Sequence, residues 1–156
     1  MQLTSSAAGL SVELPPGFEG RVTTRAPDPA DDSLRAASGG LGLVQVASFP
    51  LPTGTGDFGG GATPLMGFRD ILIVLLEYGR ESVGTALFER QGRPTLTAAD
   101  FDENQLQHNL GGQSGSQSFF TEGGRAGCLY VVLGSHLNRA RAAPVVNDVV
   151  ASMSIV

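Results

Sequence analysis

The chain has 156 residues, enough for one domain with a core of its own, and 41% of them are hydrophobic. Only 16% are charged, the formal net charge is −5, and all ten basic residues are arginine. An acidic chain without a dense arginine cluster is a poor match for nucleic acid. Because lysine is absent, a Schiff-base lysine, a lysine-containing phosphate-binding loop and a kinase active site are excluded.

The start of the chain does not have the pattern of a signal peptide, which is a basic segment followed by an apolar stretch. The longest apolar run, residues 71–76, is far shorter than the roughly 20 residues that span a bilayer. We therefore expect a soluble protein without a membrane span that is cytoplasmic by default. Export is the alternative, if a signal peptide has been removed.

The N-terminal half predicts short strands separated by loops. Residues 10–14 alternate apolar and polar side chains, and a Pro-Pro-Gly turn separates them from a second extended stretch, residues 19–25. These two stretches predict a hairpin or a corner. Residues 26–40 and 50–68 are rich in glycine and proline, and both are predicted to be mobile loops. Residues 41–49 between them predict a strand.

Residues 70–78 predict the central strand of the sheet. The run Ile71–Leu76 is apolar without alternation, which is typical of a strand buried on both faces. Ile73 and Leu75 should therefore lie on one buried face and matter more to folding than any loop residue matters to chemistry.

The C-terminal half predicts a hairpin, because Gly123-Gly124 separates two strand-like runs, residues 119–122 and 125–133. It also predicts a helix that begins at Asp102, a suitable N-cap with Gln105 three residues on, and ends at the glycine pair 111–112.

A second helix is predicted near the end of the chain. Pro144 suits its first turn, and the apolar residues of 145–153 form one stripe at helical spacing. Residues 154–156 are predicted to return as a short edge strand.

These elements predict a single α+β domain over residues 1–156, an antiparallel or mixed sheet with helices packed on it. The opening segment 10–18, the hairpin 119–133 and the closing helix and strand resemble the PsbP-like α/β/α sandwich superfamily. The chain is also similar to uncharacterised small proteins of GC-rich bacteria in segments 57–62 and 119–122. The resemblance implies a non-enzymatic accessory or binding module and assigns no catalytic, cofactor-binding or metal-binding residue.

Two sequence patterns resemble ligand-binding motifs, but both are better explained as loops. Residues 54–59 match the letters G-x-G-x-x-G, but a pyrophosphate site needs them to run directly from a strand into a helix. Here Pro50 and Pro52 separate them from the preceding strand, and another loop follows them. Asp28, Asp31 and Asp32 could coordinate calcium, but they lack the EF-hand spacing, which favours a solvated loop.

Two candidates for catalysis remain. Cys128 could pair with His108 or His136 as a nucleophile, although a buried and functionally silent thiol is the favoured interpretation. Glu77, at the end of the apolar strand, could be an acid–base group with a raised pKa if it faced a cleft near Glu122 or Asp70. Paired with Arg80 or Arg125, it would be structural, which is the favoured interpretation.

The sequence therefore favours a non-enzymatic binding or assembly module that engages a protein partner or its own copy through a sheet face or edge and the loop 50–68. The candidate contact residues are the apolar side chains of this loop, Phe58, Leu65, Met66 and Phe68. At least weak self-association is expected, because the charge density is low. The alternative is a small-molecule-binding domain or an uncharacterised hydrolase that uses Glu77 or Cys128.

Overall fold

The computed structural model describes residues 1–25, 40–107 and 110–155. The described residues form eight strands and one α-helix, linked by loops with short 3-10 turns. In chain order these are β1 (Gln2–Ser5), β2 (Leu10–Glu13), β3 (Glu19–Arg25), β4 (Leu41–Ala47), β5 (Ile71–Tyr78), β6 (Ser114–Glu122), β7 (Arg125–Leu133), α1 (Arg139–Ser152) and β8 (Ser154–Ile155). Two antiparallel sheets and one helix confirm the predicted α+β class. The finer PsbP-like resemblance stays a prediction.

The larger sheet has five antiparallel strands in the order β3-β4-β5-β7-β6. β5 lies in the middle, and its residues 71–76 are all buried, so the predicted central strand is confirmed. The lack of alternation has a simple cause: both faces of the sheet are covered, so successive side chains all leave water.

One face of this sheet packs against α1 and β2. Ile73 and Leu75 point to this face, together with Val131 of β7, and meet Val146 and Val149 of the helix in one core cluster. No α-helix of the described residues packs on the opposite face. There, Leu72, Val74 and Tyr130 belong to a second cluster that the loop 50–68 and residues near Leu106 and Phe119 complete.

The smaller sheet has three strands in the order β1-β2-β8. β2 and β3 were predicted as a hairpin or a corner, and the structure forms a corner, since the two strands belong to different sheets. β1 was not predicted. β8 pairs Ser154 with Ser11 and Ile155 with Leu10, so the short closing strand is confirmed for these two residues.

The predicted hairpin of residues 119–133 is confirmed and longer, with nine residues in each strand. Gly123 and Gly124 connect β6 to β7 with φ values of 58° and 74°. Positive φ at both central positions is the two-residue turn that suits the twist of antiparallel strands, and glycine adopts it without a steric cost.

The helix predicted from Asp102 to the glycine pair 111–112 is wrong for the described residues. Asp102 does cap, accepting a hydrogen bond from the Asn104 N–H at 2.7 Å, but it caps a single 3-10 turn, Glu103–Gln105. The backbone of Asp102 also exchanges two 2.8 Å hydrogen bonds with Gly115 on β6. Pairing with the sheet edge thus replaces continuation into a helix. His108 lies outside the described residues.

The C-terminal helix is present, but it begins at Arg139, five residues before Pro144, which lies inside it. The Ser135 hydroxyl caps a preceding 3-10 turn that leads directly into the helix. Pro144 is exposed and lies in the second turn, where its missing N–H deprives the helix of one hydrogen bond near its start. In the described part of the chain, this 14-residue helix is the longest, and no helix there is long and apolar enough to cross a membrane.

Candidate functional site

Glu77 and Arg125 form a bidentate salt bridge between two neighbouring strands. Glu77 lies near the end of β5 and Arg125 begins β7. The guanidinium donates from Nε to Oε2 and from Nη2 to Oε1, both at 2.7 Å. The Gly42 N–H of β4 adds a third hydrogen bond to Oε1 at 2.8 Å. This is the bidentate geometry that makes arginine–carboxylate pairs specific.

The same arginine ties the two sheets together. Arg125 also donates to the carbonyl oxygens of Ala8 and Gly9, at 2.6 and 3.1 Å, in the turn between β1 and β2. Nearby, Arg93 pairs with Glu122 at 2.9 Å and donates to the Val150 carbonyl of α1 at 3.0 Å. Both arginines therefore hold elements together, which favours the structural interpretation of Glu77.

The electrostatics of Glu77 agree with that interpretation. Burial alone raises its pKa, but the hydrogen bonds from Arg125 and Gly42 and the positive charges of Arg125 and Arg25 outweigh burial, so its pKa is lowered. An acid–base group working near neutral pH needs the opposite direction. The recess beside Glu77 has a volume of about 40 Å³, room for a few water molecules rather than an organic ligand.

Cys128 lies in the middle of β7 and is 0% exposed, so the predicted burial is confirmed. Burial raises the pKa of its thiol to about 11, while a hydrogen bond from Gln117 opposes the rise. A nucleophilic cysteine needs a lowered pKa and access to solvent, and Cys128 has neither.

We expect Cys128 to react slowly with a thiol reagent in the native protein. A rise of the thiol pKa from 9.0 to about 11 lowers the thiolate population at pH 8 roughly a hundredfold, before the loss of access is counted. Labelling with a chromogenic disulfide reagent, in native buffer and in denaturant, measures the ratio. Native labelling as fast as that of the denatured chain would contradict burial.

The structure also brings together a serine and a histidine that the sequence did not pair. The Ser114 hydroxyl lies 2.8 Å from Nδ1 of His136, although 22 residues separate them. A serine and histidine at this distance suggest a nucleophile and its base. Ser114 is 0% exposed, however, so its hydroxyl cannot contact a substrate. We interpret the pair as a tie between β6 and the turn before α1.

The four apolar residues of the loop 50–68 divide into two kinds. Phe58 packs edge-on against Tyr130 with ring centroids 5.4 Å apart, and Met66 is also partly buried on the second face of the sheet. Leu65 and Phe68 are 62% and 56% exposed. Of the predicted contact residues, these two are therefore the ones that the fold leaves available.

The glycine loop in this segment leads to a 3-10 turn, Thr63–Leu65, not to an α-helix. Its amides are used internally, since the Gly59 N–H donates to the Gly56 carbonyl and the Gly61 N–H donates to the Thr55 carbonyl, both at 3.1 Å. Gly59 holds φ at 72°, and a Cβ there would lie 2.5 Å from Cδ2 of Leu72. The loop is thus fitted to the sheet beneath it. The mobility of this loop stays a prediction, and so does that of residues 26–40. Residues 26–39, which include the calcium candidates Asp28, Asp31 and Asp32, lie outside the described residues.

The two edges of the five-stranded sheet differ. On β6, hydrogen bonds cover the outer edge: Thr121 exchanges bonds with the backbone at Arg90 and Gly92, Gly115 bonds Asp102, and the Gln117 N–H donates to the Gln105 side chain. This edge is therefore closed to a further strand.

β3 forms the other edge, and its outer side is open among the described residues. The Gly42 N–H of β4 points to β5, so the odd-numbered residues of β4 bond β3. Their partners on β3 are also odd-numbered, since Arg21 pairs with Gln45 and Thr23 with Leu43. The N–H and C=O groups of Gly20, Val22 and Thr24 therefore point away from the sheet, and no described residue bonds them.

No protein-family model, curated protein or solved structure matches this chain. Within the described ranges, no group of three or more His, Cys, Asp or Glu side chains could hold a metal ion.

Proposed function

We propose that this chain is a non-enzymatic binding or assembly module that pairs a strand of another polypeptide with the outer edge of β3. The observation that carries the proposal is the row of outward N–H and C=O groups at Gly20, Val22 and Thr24, which the described residues leave without partners. An exposed edge of this kind is a template for an added strand, whose main-chain hydrogen bonds supply affinity.

The neighbourhood of β3 supports this role. The loop 50–68 holds the strand from the second face of the sheet, because Glu19 accepts a 3.0 Å hydrogen bond from the Leu51 N–H and Arg21 bonds the Pro52 carbonyl. The edge is therefore held in a fixed position before a partner arrives, which lowers the entropy lost on binding.

Leu65 and Phe68 supply a second contact in this proposal. Glu19 pairs with Ala47, and Ala47 pairs with Leu72, so β3 begins at the end of the sheet where the loop 50–68 enters β5. Two exposed apolar side chains at that end extend the surface that a bound partner can cover.

A photo-crosslinking amino acid at Thr23, an exposed position on β3, tests the proposal in cells that encode the protein. We expect crosslinks to a polypeptide that mass spectrometry identifies, and none from the same probe at the exposed Leu87. Adding Thr24→Pro should abolish the crosslinks, because proline removes an N–H that points outward and to which no described residue bonds. The matched control Thr24→Ala keeps this N–H and should leave the crosslinks intact. Crosslinks that survive Thr24→Pro, or their absence at Thr23, would overturn the proposal.

A further inference from the structure

We infer that the strand added to β3 is β3 of a second copy, paired antiparallel about a two-fold axis at Val22. This inference rests on the proposed function and names its partner. The result is one continuous sheet that runs through both copies.

The hydrogen-bonding pattern of β3 permits this pairing. In an antiparallel pair centred on Val22, Gly20 lies opposite Thr24 of the second copy, and Val22 lies opposite its own equivalent. These are the residues whose backbone groups point outward. Each opposed pair can exchange both of its hydrogen bonds, so the pairing gives about six bonds across the axis. If the two-fold axis passed instead between two residues, each residue whose N–H and C=O point outward would lie opposite a residue whose N–H and C=O point inward.

Charge selects the register. With the axis at Val22, Glu19 of each copy lies opposite Arg25 of the other, on the same face of the joined sheet. Opposite charges directly across an antiparallel pair stabilise it. The two nearest registers that keep the hydrogen-bond pattern place Arg21 opposite Arg21 or opposite Arg25, and like charges in that position are destabilising.

Both charged groups retain capacity for this contact. Glu19 is exposed and uses Oε2 for the Leu51 N–H, while no described residue bonds its Oε1. Arg25 pairs with Asp57 at 3.8 Å, the longest of the ion pairs among the described residues, and it donates to the Glu77 carbonyl through Nη2. Its guanidinium lies over the Tyr78 ring of β5, 5.6 Å from the ring centroid, so it must turn outward to reach Glu19 of the second copy. The pair across the axis therefore replaces the long contact with Asp57.

Sedimentation equilibrium at micromolar to high micromolar concentration tests the partner. We expect the parent to dimerise and the dimer to weaken in high salt, because the Glu19–Arg25 pairs are near the surface. Thr24→Pro removes one outward N–H from each copy and should raise the dimer dissociation constant at least about tenfold, whereas Thr24→Ala should change it less than about threefold. Circular dichroism and the denaturation midpoint of each variant, measured below the dissociation constant, show whether the monomer remains folded.

A cysteine scan tests the register without the proline variant. Val22→Cys places two thiols on the axis, with Cα atoms about 5.5 Å apart, within reach of a disulfide. Arg21→Cys and Thr23→Cys place the paired thiols on a diagonal of about 7–8 Å, which is too far. Under mild oxidation, we expect covalent dimers from Val22→Cys only, since the native Cys128 is buried.

The outcomes separate this inference from the proposed function. A parent that stays monomeric, or a dimer that Thr24→Pro does not weaken, overturns the inference. Covalent dimers that form faster from position 21 or 23 than from position 22 overturn the register. If the protein is monomeric and the Thr23 crosslinker captures a different polypeptide in a manner that depends on Thr24→Pro, the inference fails and the proposed function stands.

Discussion

Truncation of Ile73 or Leu75 to alanine should destabilise the protein by about 2–5 kcal/mol, because each change removes buried methyl groups and leaves a cavity. Ile73 is fully buried in the central strand, and Leu75 lies on the same face under α1. A domain of marginal stability, about 5–15 kcal/mol in total, would lose much of that stability.

Denaturant unfolding measures this loss, and Leu137→Ala is the matched control. Leu137 is 78% exposed, so removing the same kind of side chain there should change the free energy of unfolding by no more than about 0.5 kcal/mol. If Ile73→Ala and Leu75→Ala unfold at the midpoint of the parent with the same slope, the two side chains do not pack in the core as described.

Replacement of Arg125 by methionine should be almost as costly, about 3 kcal/mol, because it leaves the carboxylate of Glu77 partly buried without its counter-ion. The change also removes the hydrogen bonds to Ala8 and Gly9, which join the small sheet to the large one. The double variant Glu77→Gln, Arg125→Met should recover part of the loss, since no unpaired charge then remains. A double variant less stable than Arg125→Met alone would contradict this account of the pair.

The same pair gives the stability a defined dependence on acid. The folded pKa of Glu77 lies below its ordinary value of 4.5, so its contribution is complete above pH 4.5 and is lost as the pH falls through the lowered folded pKa. Between pH 6 and pH 3, the parent should therefore lose more stability than Glu77→Gln does. Equal losses in the two proteins would show that the carboxylate is not stabilised by folding.

The elements that the sequence predicts correctly are those with local causes. The apolar run 71–76 identified the central strand because burial on both faces removes alternation, and Gly123-Gly124 identified the hairpin because its turn needs positive φ. The helix at Asp102 failed for a non-local reason: Gly115, thirteen positions later, donates to the Asp102 carbonyl, which would have accepted the first hydrogen bond of the helix.

The residues of the candidate site also divide into those that the sequence indicated and those that it did not. Arg125 was one of two expected partners of Glu77, and the pairing of β5 with β7 brings it there rather than Arg80. The open edge of β3 and the contact of Ser114 with His136 were not predictable, because both depend on the lateral order of strands. The patterns of a single sequence indicate where strands lie along the chain, but not which strands lie side by side in the sheet.

The position of β2 between β1 and β8 has a consequence for the kinetics of folding. Ser11 and Ser154 hydrogen-bond at 2.6 Å although 143 residues separate them, so the small sheet closes a loop that is nearly as long as the chain. Loop closure of this length costs entropy before any contact compensates for it, and high contact order slows folding. We therefore expect the local β6–β7 hairpin to form early and the β2–β8 contact last, with the outer edge of β2 remaining open until residues 154–155 arrive.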